Sequence, residues 1–560
     1  MKILSYINIF IFLFFLTLSN IHAVNAASHG MVVSEQRLAS QIGVDILRAG
    51  GNAIDAAVAV GYALAVVDPC CGNIGGGGFM TIHLANGNNI FINFREKASL
   101  HANKNMFVNP DSQAMTNEAS KGYLAVAVPG TVMGLETVLQ KYGTLSRQQV
   151  MAPAIQLAKN GFIITPYEAA RYQTFVKDFR EQANVAAIFL KNDQAYPVGS
   201  RLIQTNLATT LQQIADKGSA VFYKGAIAKT IVNASNAHGG ILTLKDFATY
   251  TVQELTPIYC NYRGYTIISA PPPSSGGVTL CEILNILENF PLANSDLRSA
   301  TNTQYIIEAM HYGFFDRNNK LGDPDWIKNP VAELTSTSYA ANIAAAIQNK
   351  SLSSRMKTAT TTTHELTDTT HYSVIDNKGN AVAVTYTLNG FFGAEIIASN
   401  TGFFLNNEMD DFTIAAGVEN KFGLVQHDAN AIAPGKRPLS SMAPTIVMKD
   451  GKIFLILGSP GGPRIITSVL LTLLNVIDGD MPLQQAVDAP RFHYQVQPDV
   501  IDIEPFALPL LTQKQFTWRG YHFTAQKQWG AIDAIMVDPA TGEFYGVNDI
   551  RRPDGGAVGY

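Results

Sequence analysis

The chain has 560 residues, of which 47% are hydrophobic and 15% are charged, and its formal net charge at pH 7 is −4. This composition indicates a large globular α/β protein and excludes a disordered chain or a simple repeat protein. Because no long run carries one sign of charge, nucleic acid is excluded as an expected partner.

Residues 1–26 have the pattern of an export signal. Lys2 gives a basic start, and residues 3–18 are almost wholly apolar. Val24 and Ala26 supply the small residues of a cleavage site, so we expect cleavage after Ala26, with Ala23 as the second choice. A membrane anchor is the alternative, but the apolar stretch is shorter than the roughly 20 residues that a span needs. The mature protein is therefore expected to be exported, periplasmic or secreted, and free of the membrane.

Cysteine and histidine usage predicts neither a disulfide framework nor a metal centre. The cysteines are the adjacent Cys70 and Cys71 and the separate Cys260 and Cys281, too few for a disulfide scaffold in a chain of this size. We expect Cys70 and Cys71 to pack as thiols, and a bridge between these neighbours is the alternative. The 11 histidines show no zinc-ligand spacing, so no metal is predicted.

Two helices and a glycine-rich segment are predicted near the start of the mature chain. Apolar residues recur at helical spacing in Glu35–Leu47, and Ala53–Val67 is apolar nearly all round. The glycine-rich segment Gly72–Phe79 follows, before a predicted strand at Met80–Leu84. It lacks the Lys-Ser/Thr of a phosphate loop and follows a helix where that motif requires a strand. We therefore interpret it as backbone packed against backbone near a site.

Further along, helical stretches alternate with turns from Thr131 to Lys350. Ala270–Gly277, with three prolines and then two serines and two glycines, is predicted to form a surface loop or rim. Arg95 and Glu96 follow a predicted strand at Asn89–Asn93. Taken alone, this pair is better explained as a surface ion pair than as part of a site.

A threonine-rich run, Thr358–Thr370, leads directly into a segment with strand character, His371–Asp376. By composition, such a run is a solvated linker. It is also a suitable cleavage site, because a cut before Thr369 gives that residue a free α-amine beside its own hydroxyl. This pairing of base and nucleophile activates a threonine for acyl transfer. Both interpretations stay open on these residues alone.

Residues rich in β-branched and aromatic side chains predict strands at His371–Asp376, Ala381–Leu388 and Lys452–Leu457. The loop Asn377–Gly379 between the first two has a glycine where a three-residue hairpin needs a left-handed residue. In a regular hairpin centred on Lys378, Thr369 lies opposite Thr387, about 5 Å away at Cβ. A second hydroxyl is thus predicted beside the candidate nucleophile, unless a bulge shifts the register.

Three other segments carry groups suited to acyl transfer on an amino acid. Gly461 and Gly462 precede a helical stretch, Ile465–Leu474, and successive N–H groups at such a turn can form an oxyanion hole. Asn406–Phe412 concentrates carboxylates, and Lys436–Met442 places two hydroxyls after a proline. Because carboxylates bind ammonium while arginine and hydroxyls bind carboxylate, these segments together predict a receptor for a zwitterion beside the nucleophile.

In these motifs the chain closely resembles the γ-glutamyltranspeptidases of the N-terminal nucleophile hydrolase superfamily. The resemblance extends from about Gly30 to Tyr560. In the first part the matching segments are Gly50–Ala57, Gly75–Phe79, Arg95–Glu96, Val128–Thr131, Pro271–Gly277 and Leu321–Asp325. In the second part they are Thr369–His371, Asn406–Asp411, Pro438–Met442, Gly458–Gly462 and Arg551–Gly556. Each motif is weak alone, but their joint order is specific and favours the cleavage site over the linker.

The resemblance implies an α/β fold, a four-layer αββα sandwich of the N-terminal nucleophile hydrolase type. It also implies one precursor that is cut into a large subunit, residues 27–368, and a small subunit, residues 369–560. Both pieces are woven into a single domain. Asp368 and Thr369 therefore mark a subunit boundary and the site of autocleavage.

Roles for individual residues follow from the same resemblance by position. Thr369 matches the nucleophile and Thr387 the hydroxyl that supports it, while Gly461 and Gly462 match the oxyanion hole. Binding of the substrate's α-carboxylate is implied for Arg95, Ser440 and Ser441, and of its α-amino group for Asn389, Glu408 and Asp411.

Two positions depart from the family's pattern. Asp368 stands before the scissile bond, where the family varies, and its carboxylate is expected to affect the rate of processing. Phe422 stands where many bacterial relatives carry a tyrosine that gates the pocket, although the lid segment Thr413–Pro434 itself is present.

The implied activity is autoprocessing followed by hydrolysis or transfer of γ-glutamyl groups, with glutathione and glutamine as substrates and amino acids or dipeptides as acceptors. No cofactor is expected. A glutaryl-cephalosporin-type acylase is the nearest alternative, disfavoured by the ammonium-binding carboxylates and the lid segment. An exported, non-catalytic binding protein with the same fold is a further alternative, disfavoured by the two threonines and the glycine pair.

Overall fold

The computed structural model describes residues 25–349 and 368–560. Two seven-stranded sheets pack face to face, and helices cover the outer face of each sheet. The predicted αββα sandwich is therefore confirmed. Most of the threonine-rich run and most of the N-terminal signal lie outside the described residues.

The strands are β1 (Asn25–Ala27), β2 (Gly30–Ser34), β3 (Gly77–His83), β4 (Asn89–Phe94), β5 (Phe162–Ile163), β6 (Leu190–Lys191), β7 (Gln194–Ala195), β8 (Arg201–Leu202), β9 (Gln253–Leu255), β10 (Ile258–Tyr262), β11 (Tyr265–Ser269), β12 (Thr370–Asp376), β13 (Ala381–Thr387), β14 (Thr445–Lys449), β15 (Lys452–Leu457), β16 (Phe492–His493), β17 (Ile501–Ile503), β18 (Phe523–Ala525), β19 (Asp533–Val537), β20 (Phe544–Asn548) and β21 (Gly556–Gly559). One large sheet has the order β1-β20-β19-β15-β14-β11-β10, and the other has the order β21-β2-β12-β13-β3-β4-β9. Both sheets combine strands from before and after Thr369.

The helices are α1 (Arg37–Arg48), α2 (Ala53–Val67), α3 (Thr116–Ser120), α4 (Thr131–Tyr142), α5 (Arg147–Asn160), α6 (Pro166–Thr174), α7 (Val176–Arg180), α8 (Ala183–Phe189), α9 (Thr205–Lys217), α10 (Ala220–Tyr223), α11 (Ala226–Ala237), α12 (Leu244–Ala248), α13 (Gly276–Leu287), α14 (Ala300–Lys320), α15 (Val331–Leu334), α16 (Thr337–Asn349), α17 (Arg464–Ile477), α18 (Leu483–Asp488) and α19 (Leu510–Trp518). Helix α2 has the predicted bounds, and every one of its residues is buried. Its apolar character on all sides is explained by its place between the second sheet and the neighbouring helices.

Strands β12 and β13 form the predicted hairpin at the centre of the second sheet. Val374 pairs with Val382, and Gly379 has φ +90°, as the three-residue loop requires. The alternation of a pleated strand sends Val374 into the core under the helices and Ile375 into the core between the sheets. The register continues to Thr370 opposite Tyr386, which brings Thr369 alongside Thr387.

The segment Ala270–Gly277 is buried throughout, so the prediction of a surface loop or rim is wrong. Ser274 Oγ donates to the Met442 carbonyl at 2.6 Å, and Ser275 Oγ donates to the Ser440 carbonyl at 2.6 Å. The hydroxyls thus donate hydrogen bonds to backbone carbonyl groups of a distant loop. The segment is polar because it makes these internal contacts, and not because it is exposed to solvent.

The cysteine prediction is also wrong. Cys70 and Cys71 are joined in a disulfide, and so are Cys260 and Cys281. The first bridge links sequence neighbours, which was the alternative to buried thiols.

The N-terminal strand bears on the expected processing by a signal peptidase. Ala26 pairs with Tyr545 in β1 at the edge of the first sheet. Cleavage after Ala26 would remove most of β1, whereas cleavage after Ala23 would leave it whole. Among the described residues, no helix is both long enough and apolar enough to cross a membrane.

The glycine-rich segment packs against other backbone, as interpreted from the sequence. A Cβ atom at Gly75 would lie 1.9 Å from the Phe404 carbonyl oxygen, and one at Gly76 would lie 1.8 Å from the Thr387 carbonyl oxygen. Real atoms do not approach so closely, so these positions require glycine. The close approach fixes the strand that carries Thr387.

We predict that Gly76→Ala prevents the protein from folding, because the added methyl group meets backbone that cannot move aside. The control is Gly87→Ala, at φ +89° with no atom within 4 Å of the added Cβ, which should cost only about 1–2 kcal/mol. Soluble yield and thermal melting of the two variants measure the difference. Equal melting temperatures would contradict this account of the glycines.

Candidate active site

A pocket opens at the end of the β12–β13 hairpin. Its lining includes every predicted site residue except Asp368 and Gly461, and it consists of Arg95, Arg317, Thr369, Thr387, Asn389, Glu408, Asp411, Phe422, Leu424, Ser440, Ser441, Met442, Gly462, Pro463 and Ile465. The fold therefore brings together residues that are more than 300 positions apart in the sequence.

Thr369 lies immediately before β12, with its hydroxyl against the carbonyl of Asp368. Its Oγ1 is 3.1 Å from Thr387 Oγ1, as the hairpin register predicts. Thr387 Oγ1 accepts a hydrogen bond from the Asn389 N–H at 2.9 Å and donates to the Asp368 carbonyl oxygen at 3.1 Å. A donor on this oxygen polarises the carbonyl carbon, which makes it a better target for the neighbouring Thr369 hydroxyl.

Asp368 is buried, with only 1% of its surface exposed. Neither oxygen of its carboxyl group has a hydrogen-bond partner among the described residues. Burial raises the pKa of Asp368 well above its usual range, against the opposing charge of Lys421. The residue before the candidate scissile bond is therefore favoured in its neutral form.

Gly461 and Gly462 form the turn between β15 and helix α17, with φ values of +134° and +54°. Neither of their N–H groups donates to an acceptor among the described residues, so both are available to a ligand. The ring of Phe422 lies over Gly462, where an added Cβ would approach it to 2.9 Å. The segment from residue 413 to residue 434 thus reaches the pocket through Phe422.

Arg95 and Glu96 are both fully buried, so their interpretation as a surface ion pair is wrong. Arg95 makes ion pairs with Glu408 and Asp411 and lies 3.5 Å from a carboxylate oxygen of Glu96. Its Nε also donates to the Pro438 carbonyl at 3.2 Å. Arg95 therefore ties the strand end of β4 to both segments that were expected to bind an amino acid.

Three carboxyl groups thus surround one guanidinium. Burial raises the pKa of Glu96 to about 7, although the charge of Arg95 opposes the shift. Burial also raises the pKa of Glu408 well above its usual range, against the same opposing charge. A cluster with more carboxyl groups than cations would be stabilised by an additional positive charge, such as an ammonium group.

The two serines follow the backbone of Pro438 and Leu439, whose carbonyl groups accept hydrogen bonds from Arg95. Ser440 Oγ accepts a hydrogen bond from the Met442 N–H at 3.1 Å, and Ser441 Oγ accepts one from Arg317 Nη2 at 2.9 Å. Asn389, with φ +76°, holds the adjacent loop through its side-chain amide, which donates to the Asn407 carbonyl at 3.0 Å.

Arg317, near the end of helix α14, was not predicted as a site residue. It stands four residues before the motif Leu321–Asp325, and neither its neighbours nor its spacing marks it. The hydrophobic lining residues Leu424, Met442, Pro463 and Ile465 were likewise missed, because an apolar pocket wall has the same composition as a core.

Potential metal ligands lie together at one place in the described part of the chain, at Asp68, Cys70 and Cys71. Both sulfurs are joined in the disulfide, so neither is free to bind a metal as a thiolate.

The chain is similar to known proteins over most of its length. The family model described as Gamma-glutamyltranspeptidase matches residues 39–559. The glutathione hydrolase proenzyme of Pseudomonas sp. (strain A14) is 52% identical over 558 residues, which cover 97% of each chain.

Crystal structures of known proteins are also similar to this chain. The cephalosporin acylase of Bacillus halodurans matches with a TM-score of 0.84 and 26% identity over 96% of this chain and 97% of that one. A chain of Helicobacter pylori gamma-glutamyltranspeptidase matches with a TM-score of 0.56 and 44% identity over 58% of this chain and 92% of that one. The family match over nearly the whole chain, with half of all residues shared with a proenzyme, shows that this protein belongs to the γ-glutamyltranspeptidase family.

Proposed function

We propose that this protein is an autoprocessing γ-glutamyl hydrolase and transferase that uses glutathione and glutamine as donors. The observation that carries the proposal is the position of the Thr369 hydroxyl, against the Asp368 carbonyl and 3.1 Å from Thr387 Oγ1. This arrangement stands beside a pocket that is lined by carboxylates, two arginines and paired hydroxyls. Membership in the family supports the same reaction.

The first reaction is cleavage of the precursor. Thr369 Oγ attacks the Asp368 carbonyl carbon, the C–N bond breaks, and the acyl group passes to oxygen while the nitrogen becomes a free amine. Water then hydrolyses the ester, which restores the Thr369 hydroxyl and leaves Asp368 with a terminal carboxylate. Thr387 donates to the carbonyl oxygen while charge develops on it. The products are the large subunit, residues 27–368 after removal of the signal peptide, and the small subunit, residues 369–560.

The second reaction is turnover of the donor. The new α-amine of Thr369, with an ordinary pKa of about 7.7–8.0, accepts the proton of its own hydroxyl. Oγ attacks the γ-amide carbonyl, and the N–H groups of Gly461 and Gly462 stabilise the oxyanion. The donor's amine leaves with a proton, and water, an amino acid or a dipeptide then resolves the acyl-enzyme. None of these steps uses a cofactor.

The donor's amino-acid end is held by the charged groups of the pocket. We assign its α-carboxylate to Arg95, Ser440 and Ser441, and its α-ammonium to Asn389, Glu408 and Asp411. Before the donor binds, Arg95 is paired with the carboxylates of Glu408 and Asp411. The zwitterion can replace this internal pair by offering a carboxylate to the arginine and an ammonium to the carboxylates, so few charges are left unpaired.

An acylase of glutaryl compounds shares the nucleophile and the fold, and one structural relative carries the name of a cephalosporin acylase. The three carboxyl groups around Arg95 favour a substrate with an α-ammonium group, which a glutaryl chain lacks. Retention of both threonines and the glycine pair argues against a binding protein without catalysis. We further propose export under the signal at residues 1–26, to the periplasm or the medium, with no nucleic-acid partner.

We predict that Thr369→Val yields one uncut and inactive chain, because it removes only the nucleophilic hydroxyl. The matched control is Thr370→Val, at the next residue of the chain and the first of β12, whose buried hydroxyl has no hydrogen-bond partner among the described residues. That control should be processed and active, since replacing an unpaired hydroxyl with a methyl group costs little. Denaturing gel electrophoresis and a turnover assay distinguish the variants. Full processing of Thr369→Val would overturn the assignment of the nucleophile.

We also predict that a γ-glutamyl anilide is hydrolysed with a kcat/KM roughly 10- to 100-fold above that of the glutaryl anilide. The two compounds differ only in the α-amino group, and its loss leaves the carboxyl groups at Arg95 without their partner. Steady-state kinetics of the processed enzyme with both compounds provide the measurement. Equal or faster turnover of the glutaryl compound would favour the acylase instead.

A further inference from the structure

No carboxylate lies within 4 Å of the buried Arg317 guanidinium among the described residues, although the charge of Asp411 acts on it from further away. Only 1% of the surface of Arg317 is exposed. Its guanidinium donates to neutral acceptors, namely Ser275 Oγ at 3.0 Å, Asn318 Oδ1 at 2.9 Å, Gln426 Oε1 at 3.2 Å and Ser441 Oγ at 2.9 Å.

The other deeply buried arginines of the described residues differ in this respect. Each of them has a carboxylate within 4 Å, and they are Arg95, Arg437, Arg464, Arg491 and Arg552. A buried charge is costly unless it is paired. Burial accordingly lowers the pKa of Arg317 to about 10. A cation kept in this state beside a pocket is suited to an anion that arrives with a ligand.

The contact with Ser441 determines which way that hydroxyl donates. A serine hydroxyl has one proton, and its oxygen accepts hydrogen bonds. Arg317 Nη2 occupies the oxygen of Ser441 as a donor, so the proton of Ser441 must point elsewhere. The oxygen of Ser440 also accepts a hydrogen bond, because the Met442 N–H donates to it. Both hydroxyl protons are thus left for an acceptor in the pocket, and a carboxylate accepts both.

We propose that Arg317 is a positioning residue for the donor's α-carboxylate, acting through Ser441. Its guanidinium fixes the Ser441 hydroxyl as a donor towards the pocket and strengthens that donor by its charge. Arg95 does not supply this function before the donor binds, since Glu408 and Asp411 already neutralise it. The inference rests on the proposed γ-glutamyl activity and adds a residue to its carboxylate-binding side.

The test compares two donors, a γ-glutamyl anilide and a 4-aminobutyryl anilide. The second donor lacks only the α-carboxylate. Both are assayed with wild-type enzyme and with the Arg317→Gln variant. Arg317→Gln should raise KM for the γ-glutamyl donor about 10- to 100-fold, the value of a hydrogen bond to a charged group. Its kcat should change by less than roughly threefold, because the hydroxyl acts on binding and not on the acyl carbon. The 4-aminobutyryl donor should lose less than roughly threefold in kcat/KM.

An equal loss of kcat/KM on both donors would overturn the proposal, because a merely structural role disturbs both alike. Arg317→Lys, which keeps the charge, should recover part of the lost affinity for the γ-glutamyl donor. If Arg317→Gln does not accumulate as processed enzyme, the comparison of donors is made in Arg317→Lys, with the same two outcomes.

A double-mutant cycle with Ser441→Ala tests the route through the serine. Once Ser441 is alanine, Arg317→Gln should cost less than roughly a further threefold in KM for the γ-glutamyl donor. Fully additive losses would contradict an action through Ser441. Turnover of the γ-glutamyl anilide by the wild-type enzyme is measured first. Its absence would be a failure of the proposed activity, whereas turnover with additive losses would be a failure of this inference alone.

Discussion

The register of the central hairpin is the constraint on which the site depends. Strands β12 and β13 pair so that the residue before β12, Thr369, meets the last residue of β13, Thr387. The glycine-rich segment then holds β13 from the other side, since Gly76 touches the Thr387 carbonyl oxygen at a distance that admits no side chain. A shift of one residue would turn the threonine hydroxyl to the opposite face of the sheet. Self-cleavage and turnover both depend on this one alignment.

The second organising feature is the balance of charge around the pocket. Three carboxyl groups surround Arg95, while Arg317 has only neutral hydrogen-bond acceptors among the described residues. Such an arrangement is unfavourable in the empty protein, because buried charges and buried carboxyl groups each oppose folding. A zwitterion with its ammonium and carboxylate on the same carbon supplies a cation to the carboxyl groups and an anion to the arginines at the same time. The free-energy cost of burying these groups is offset by the large hydrophobic cores, which lie on the outer face of each sheet and between the two sheets.

Local patterns were enough to predict the parts of the fold that local physics controls. The bounds of helix α2 and the pairing of Thr369 with Thr387 follow from hydrophobic periodicity and from the loop that ends at Gly379. Contacts between distant segments were not accessible in this way. The hydroxyl of Ser275 bonds to a carbonyl 165 residues away, so its burial leaves no mark nearby. Arg317 was missed for the same reason, because its distinguishing property, a set of neutral hydrogen-bond acceptors among the described residues, exists only in three dimensions.

In the proposed mechanism, Thr369 becomes the first residue of a separate chain. The intact mass of the purified protein under denaturing conditions tests this step. Two polypeptides are expected, the smaller with the mass of residues 369–560. A single stable chain, or a smaller chain that begins at another residue, would contradict the nucleophile and the mechanism built on it.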